Sequence, residues 1–315
     1  MQHRRKRKPS APKRALDVVI DHIGAKGDGV AYVDNQPVFV PYTAPGDQCG
    51  VEAVGDRGAL ITLHEESAER APPPCRYYGR CGGCALQHVS PAFYQSWKKA
   101  LAADALSSAD VDAERIDDLV AVPQASRRRV QLYVERQGRG VSIGFYERRS
   151  RNLVAINECL ILHPALSDRL AALMGVAAAT PQGWRAFSLS ATHCDNGLDI
   201  NLDHRAPLTE PAPANFAALS HALADADGVR LSLHGDPFLT LATPMITIDG
   251  VALSPPPGGF LQASADGEAA LVRLVRDAVG GARKIADLFC GAGTFVLPLA
   301  RSASVAAFDS DIAAT

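Results

Sequence analysis

Lys284-Ile-Ala-Asp-Leu-Phe-Cys-Gly-Ala-Gly-Thr-Phe295 predicts an apolar strand, a glycine turn and the start of a helix, which is an α/β arrangement. In open α/β sheets, ligands bind beyond the carboxyl ends of the strands, and glycines let the backbone approach them closely. The turn at Gly291–Gly293 lacks the third glycine of a dinucleotide site and the Gly-Lys-Ser/Thr of a triphosphate site. The next strand, residues 305–308, ends in Asp309, which is placed to accept hydrogen bonds from ribose hydroxyls.

Four cysteines form the second signal. Cys75, Cys81 and Cys84 are spaced C-x5-C-x2-C, and Cys159 follows far downstream between two apolar segments. Three glycines between Cys75 and Cys84 free the backbone to fold several sulfur atoms around one point. Thiolates gathered in this way bind soft metals, and four of them suit zinc or an iron–sulfur cluster. The spacing therefore favours a metal site over a redox pair.

Length and composition limit the class of protein. A chain of 315 residues with 47% apolar residues predicts two or three domains with sizeable cores. No apolar run reaches the roughly 20 residues that span a bilayer, and the basic N-terminus lacks the apolar core of a signal peptide. We therefore expect a cytoplasmic protein that binds no membrane and whose thiols stay reduced.

Although the net charge is −2, the basic residues are concentrated in two stretches. Residues 3–14 contain seven Lys or Arg, and residues 127–151 contain eight Arg against two Glu. Basic stretches on a mildly acidic protein indicate a local surface for a polyanion such as RNA. The alternative is a solubilising tail with solvated strand faces.

The pattern along the chain predicts several segments. Residues 1–14 are expected to be disordered, and residues 15–70 contain short β-branched runs separated by turns, which is typical of a small β-barrel. Residues 71–74 form a proline-rich linker, residues 91–120 predict a helix, and residues 129–162 predict antiparallel strands with outward arginines. The helical spacing of Phe93, Trp97 and Leu101 favours core packing over base stacking. His193, Cys194 and His234 are interpreted as structural.

Several segments resemble known domains. Gly27-x-Gly-Val-Ala31, then Val38–Pro41 and Pro45–Asp47, resemble the TRAM domain, an RNA-binding barrel. The segment ending at Phe295, with Asp309, resembles motif I of class I S-adenosylmethionine-dependent methyltransferases. Phe260-Leu-Gln262 resembles a Phe-x-Gln segment that contacts the cofactor in one branch of these enzymes, although Ser264 stands where that branch has Asn.

Together, these parts resemble the RNA uracil-C5-methyltransferase family, in the branch that carries a TRAM domain and a [4Fe–4S] cluster and acts on 23S rRNA. The resemblance implies a multidomain fold: an N-terminal TRAM- or OB-like β-barrel (15–70), a central α+β cluster-binding domain (71–255) and a C-terminal α/β Rossmann-like methyltransferase domain (256–315). The segment 91–120 would pack on the catalytic domain. The cluster ligands implied are Cys75, Cys81, Cys84 and Cys159. The residues implied to bind S-adenosylmethionine are Gln262, Asp287, Phe289, Gly291, Gly293, Thr294 and Asp309.

The resemblance also implies a mechanism. A uridine is flipped out of its RNA, and a cysteine thiolate attacks C6 of uracil, which activates C5 for methylation. That nucleophile is expected in a Ser-Cys-Asn-Pro-like segment, and the sequence to Thr315 contains none. We therefore predict a truncated, monomeric chain that has no catalytic residue and is inactive alone. Cys290 lies in the cofactor turn and is not expected to act as the nucleophile.

Three alternatives stay open. The first is a zinc-binding RNA-recognition module without methyl transfer. The second is the same chemistry on tRNA. The third is a radical S-adenosylmethionine enzyme, which the x5 spacing and the fourth cysteine disfavour.

Overall fold

A computed structural model describes residues 12–112, 116–138, 140–204 and 213–310, with side chains from residue 216 onward in the last range. The chain divides into two compact units, Met1–Leu119 and Val120–Thr315. Each unit is described by itself.

Six strands of the first unit form one sheet in the order β1-β5-β6-β4-β3-β2. The strands are β1 (Lys13–Val19), β2 (His22–Ile23), β3 (Gly29–Val33), β4 (Gln36–Val40), β5 (Gln48–Val54) and β6 (Arg57–Glu65). Their inward residues, including Val18, Val38 and Val51, form one buried cluster. Strand β1 also contacts β3, so the sheet curls toward a barrel, and the predicted β-rich segment is confirmed. Gly29 is needed there because a Cβ atom would collide with Thr43.

Strand β1 begins before residue 15, where the predicted barrel segment starts. Residues 1–11 lie outside the described part of the chain. Lys13 and Arg14, which the sequence pattern assigns to a disordered tail, begin β1 and pair with Val54 and Ala53 of β5. Backbone pairing with a neighbouring strand therefore outweighs the basic composition at these two positions.

Helix α1 (Pro91–Ser107) packs on the N-terminal sheet. Ser90 caps the helix by accepting a hydrogen bond from Phe93 N. Phe93 and Trp97 pack against the buried cluster around Ile23, and Trp97 Nε1 donates to Ile23 O at 3.0 Å. The predicted core packing is confirmed for Phe93 and Trp97, which are partly buried.

Two features of this region differ from the sequence-based expectation. The helix ends at Ser107 rather than near residue 120, and Asp110 adopts a left-handed φ of 55° that cannot continue a helix. The boundary predicted at residue 71 lies inside the first unit. Arg70 is held by Asp47 and pairs with Val89, so the segment after the sheet is fastened back onto it.

A seven-stranded sheet forms the body of the second unit, in the order β13-β12-β11-β10-β7-β8-β9. Neighbouring strands are antiparallel except for the parallel pair β11 and β12. Helices α3 and α4 contact each other, and they pack on β8 and β12 respectively. The elements are β7 (Arg129–Gln137), β8 (Gly140–Tyr146), β9 (Leu153–Ala155), α2 (Pro164–Ser167), α3 (Leu170–Ala178), β10 (Ala186–Cys194), β11 (Gly197–Asp203), α4 (Pro213–Asp225), β12 (Gly228–Leu233) and β13 (Asp236–Thr240).

The strands predicted between residues 129 and 162 are confirmed, but their arginines do not all face outward. Arg128 and Arg136 are buried. Arg136 Nη2 donates to Ala177 O and Thr180 O, at 3.1 and 3.3 Å, where α3 ends. Carbonyl oxygens at a helix C-terminus lack partners within the helix, so a cation there is stabilising. The outward surface of these strands therefore carries fewer arginines than predicted.

The C-terminal part of the second unit contains a hairpin, two helices and a parallel strand pair. The elements are β14 (Ile246–Ile248), β15 (Val251–Leu253), α5 (Ala265–Val279), β16 (Lys284–Leu288), α6 (Val296–Leu299) and β17 (Ser304–Phe308). Strands β16 and β17 pair in parallel, which confirms the strand–turn–helix–strand prediction. No helix in the described ranges has the length and apolar character needed to cross a membrane.

Candidate functional site

The glycine turn lies at the carboxyl ends of β16 and β17. Phe289 N and Cys290 N both donate to Phe308 O, at 2.7 and 3.1 Å, which aligns the two strand ends. Gly291 and Gly293 have φ values of 52° and 87°, in the left-handed region that favours glycine. A Cβ atom on Gly293 would also lie 3.1 Å from Leu297. At these two glycines, no side chain covers the backbone at the position where a ligand would approach.

Asp309 meets this turn directly. Its Oδ2 atom accepts a hydrogen bond from Gly291 N at 2.7 Å, so two of the predicted cofactor residues are brought together. Phe289, between strand and turn, has a φ of 66° and an 84% exposed side chain. A left-handed conformation is strained for a bulky residue, and such strain is concentrated at functional sites.

Asp287 supplies a hydrogen-bond acceptor beside the turn. Its Oδ2 atom is buried and has no hydrogen-bond partner among the described residues. Burial raises the pKa of this carboxyl group, and a hydrogen bond from the Val296 backbone opposes that shift. Buried acceptors are normally satisfied, so this oxygen is suited to a donor group of a bound ligand. Thr294, in the same turn, is also buried.

The segment that carries Gln262 and the glycine turn pack on the same apolar cluster. Leu261 belongs to a buried apolar cluster that also contains Ala292 and Leu297. Ser264, where the related branch has Asn, caps helix α5 by accepting a hydrogen bond from Gly267 N at 3.1 Å. Asn and Ser are comparable helix caps, so this departure preserves the local structure.

Sequence reasoning missed the residues that hold this segment. Arg128 Nε donates to Gln262 O at 3.1 Å, and Arg129 Nη1 donates to Leu261 O at 2.9 Å. Arg128 Nη2 also pairs with Glu268 Oε2 at 2.7 Å, and both side chains are buried. The partners are separated by 132 to 140 positions, so no local spacing in the sequence could have indicated these contacts.

The three N-terminal cysteines lie on one loop of the first unit. Cys75, Cys81 and Cys84 are all partly exposed. Burial, and then the neighbouring thiols of Cys84 and Cys75, raise the pKa of Cys81, so the three sulfurs share an electrostatic neighbourhood. Tyr78 fixes the loop by donating its hydroxyl hydrogen to Ala85 O at 2.7 Å.

The predicted metal site is not confirmed. Within the described ranges, no group of three or more Cys, His, Asp or Glu side chains is arranged to hold a metal ion. Cys159 belongs to the second unit, where its backbone N lies 3.5 Å from Ser167 Oγ. The thiols match a soft metal in chemistry, but the three on the loop do not by themselves form a site.

The remaining cysteine and histidine predictions are consistent with their surroundings. Burial and the carboxylates of Asp309 and Asp287 raise the pKa of Cys290, which makes its thiolate scarce. Cys194 is buried in the apolar cluster around Leu261, and burial raises its pKa to about 12. His193 stacks on His163 with ring centroids 4.5 Å apart.

Comparison with curated proteins places the chain in a family, although no family model matches it. An uncharacterized RNA methyltransferase of Rhizobium meliloti is 38% identical over 300 residues, which cover 93% of this chain and 71% of that protein. A similar protein of Caulobacter vibrioides is 39% identical over 295 residues, covering 92% and 71%. A 23S rRNA (uracil(1939)-C(5))-methyltransferase of Shewanella amazonensis is 30% identical over 319 residues, covering 94% and 70%.

A solved structure has a similar fold. The tRNA (uracil-54, C5)-methyltransferase of Pyrococcus abyssi, in complex with S-adenosyl-L-homocysteine, superimposes with a TM-score of 0.64. The similarity covers 94% of this chain and 74% of that chain, at 22% identity. The two chains therefore share a fold. From its relatives, the chain belongs to the RNA methyltransferase family.

Proposed function

We propose that this protein serves S-adenosylmethionine-dependent methylation of uracil C5 in RNA, with 23S rRNA as the substrate. The observation that carries the proposal is the Asp309–Gly291 hydrogen bond, which closes a left-handed glycine turn at the ends of two parallel strands. This is the position where open α/β sheets bind nucleoside ligands. The Shewanella relative acts on uracil C5 of 23S rRNA, which supports the choice of RNA.

The described residues would divide the binding of the cofactor among them. Gly291 and Gly293 let the backbone approach it, and Asp309 accepts hydrogen bonds from ribose hydroxyls. The unpartnered Oδ2 of Asp287 accepts a hydrogen bond from a donor group of the cofactor. Gln262, Phe289 and Thr294 complete the contact surface. S-adenosylmethionine, when bound, supplies a methyl group on a sulfonium centre.

The covalent part of the reaction follows from the chemistry of uracil. C5 is a weak nucleophile until a cysteine thiolate adds to C6, which moves electron density to C5. After methyl transfer, a base removes the C5 proton and the C6–S bond breaks, which restores the C5=C6 bond. We assign neither role to a residue of this sequence. Cys290 is unsuited because its pKa is raised and its side chain is buried.

We further propose that residues 15–70 act as a TRAM-like RNA-binding barrel, and that the loop thiols of Cys75, Cys81 and Cys84 are ligands of a [4Fe–4S] cluster. The position of all three thiols on one partly exposed loop supports these ligands. Iron and sulfide analysis of anaerobically purified protein tests it. About four irons per chain are expected, and about one zinc without sulfide would favour a zinc-binding RNA-recognition module instead.

Titration calorimetry with S-adenosylhomocysteine tests the cofactor site. We expect the wild type to bind one equivalent and Asp309→Ala to bind at least about tenfold more weakly, because hydrogen bonds to a charged group contribute about 1.5–3 kcal/mol. Asp236→Ala is the matched control, since Asp236 is an exposed carboxylate of the same unit. No binding by the wild type, or equal affinity of the two variants, would reject the proposed site.

A further inference from the structure

Three consecutive backbone carbonyls are held by two consecutive arginines. Leu261 O accepts from Arg129 Nη1 at 2.9 Å, and Gln262 O accepts from Arg128 Nε at 3.1 Å. Ala263 O accepts from the backbone N of Arg128 at 2.8 Å. The path of the chain on both sides of Gln262 is therefore tied to the start of strand β7.

The Arg128 guanidinium is itself fixed from a second direction. Its Nη2 atom lies 2.7 Å from Glu268 Oε2, and the two side chains are 8% and 5% exposed. Glu268 stands in the first turn of α5, the helix that begins immediately after this segment. A planar guanidinium with fixed donor directions can bind the carbonyl and the carboxylate together, whereas a lysine ammonium on a flexible stem cannot reproduce that geometry.

We propose that Arg128 is a positioning residue for cofactor binding, acting through the backbone of Gln262. The inference rests on the proposed function, in which Gln262 contacts the cofactor. Glu268 sets the orientation of the guanidinium, and the guanidinium sets the path of residues 261–263. Leu261 is buried in the apolar cluster against which Ala292 of the glycine turn packs, so the positioned segment and the turn share one support.

Strand β7, which begins directly after Arg128, provides a matched control. Arg136 lies at the other end of β7, is also buried, and also donates to backbone carbonyls, those of Ala177 and Thr180. Its carbonyl partners belong to the end of α3 and not to the cofactor segment. Arg136→Lys therefore measures how the loss of a buried guanidinium that binds carbonyls changes stability, without disturbing the cofactor segment.

The experiment measures the affinity for S-adenosylhomocysteine, by calorimetry, together with the thermal midpoint of each variant. We expect Arg128→Lys to weaken binding about tenfold, the loss expected for a hydrogen bond to a charged group. Arg136→Lys should lower the thermal midpoint comparably and change affinity less than about twofold. Glu268→Gln, which keeps the side-chain size, should weaken binding about threefold while altering stability less than Arg128→Lys.

The combination of Arg128→Lys with Gln262→Ala separates the inference from the proposed function. If Arg128 acts through Gln262, the double variant should bind no more weakly than Gln262→Ala alone. Additive losses, or equal affinities of Arg128→Lys and Arg136→Lys, would overturn the positioning role while leaving the cofactor site intact. Unchanged affinity in Gln262→Ala would overturn both the assigned contact and the inference.

Discussion

Asp47, directly before strand β5, is a buried carboxylate with four hydrogen bonds, and its replacement is a quantitative test of the N-terminal fold. The side chain is fully buried and accepts two hydrogen bonds of 2.8 Å from Arg70. It also accepts from Ala44 N at 2.6 Å and Ser67 N at 3.0 Å. Burial alone would raise the pKa of Asp47, but the bonds from Arg70 and the two backbone groups hold it below its usual value.

Asp47→Asn removes the charge while keeping the size. Breaking a buried ion pair by removing one partner costs about 3–5 kcal/mol. Asn keeps one acceptor oxygen, and Arg70 is 17% exposed and also donates to Tyr42 O. We therefore expect a loss of about 2–3 kcal/mol, below the full cost of breaking the pair. Glu52→Gln is the control, because the Lys13–Glu52 pair is 70% and 43% exposed. Such a pair contributes about 0.5 kcal/mol.

Urea unfolding followed by the fluorescence of Trp97 measures this loss. A Trp184→Phe background leaves Trp97, in the first unit, as the single tryptophan reporter. With a slope of about 1–3 kcal/mol/M, Asp47→Asn should lower the midpoint by about 0.7–3 M. Equal midpoints for Asp47→Asn and Glu52→Gln would refute the reasoning.

The pH dependence of the same variant follows from the lowered pKa of Asp47. A carboxyl group whose pKa is lower in the folded than in the unfolded protein stabilises the fold fully above its unfolded pKa, about 3.9. This stabilisation is lost as the pH falls through the folded pKa. The difference in unfolding free energy between wild type and Asp47→Asn should therefore be constant near neutral pH and shrink in acid. A constant difference down to the acid transition would contradict this assignment.

Further predictions concern packing and thiol reactivity. Gly144→Ala should destabilise the second unit by about 3 kcal/mol, because the new Cβ would collide with Val154 O. Gly175→Ala, in a helix where a Cβ would meet open space, should stabilise the unit by about 0.5–1 kcal/mol. Shifts of the thermal midpoint in the same direction for both variants would contradict this. In metal-free protein, Cys194 and Cys49, whose pKa values burial raises to about 12 and about 11, should react with iodoacetamide at pH 8 far more slowly than the partly exposed Cys75. Equal labelling of the three by peptide mass spectrometry would show that this burial is wrong.

The elements that the sequence predicted well are those with local signatures. Strand β4 and the strands between residues 129 and 162 follow from β-branched and alternating residues, and the turn at Gly291–Gly293 follows from its glycines. Helix α1 was predicted too long because the propensity of the sequence beyond Ser107 gave no sign of the left-handed Asp110.

The contacts that hold the candidate site could not be predicted in this way. Arg128 and Arg136 belong to a basic stretch that suggested an outward surface, and the structure shows both buried against backbone carbonyls. Which arginines of such a stretch turn inward depends on carbonyls from distant segments, here residues 177–180 and 262. Periodicity carries no information about partners of that kind.

The most direct test of the proposed function is mass spectrometry of 5-methyluridine in purified 23S rRNA and tRNA, from cells with and without the gene for this chain. We expect one uridine of 23S rRNA to lose its C5 methyl group on deletion, and the methyl group to return on complementation. Loss confined to tRNA would move the substrate to that RNA. Unchanged 5-methyluridine in both RNAs would contradict the assignment of uracil C5 as the methylated position.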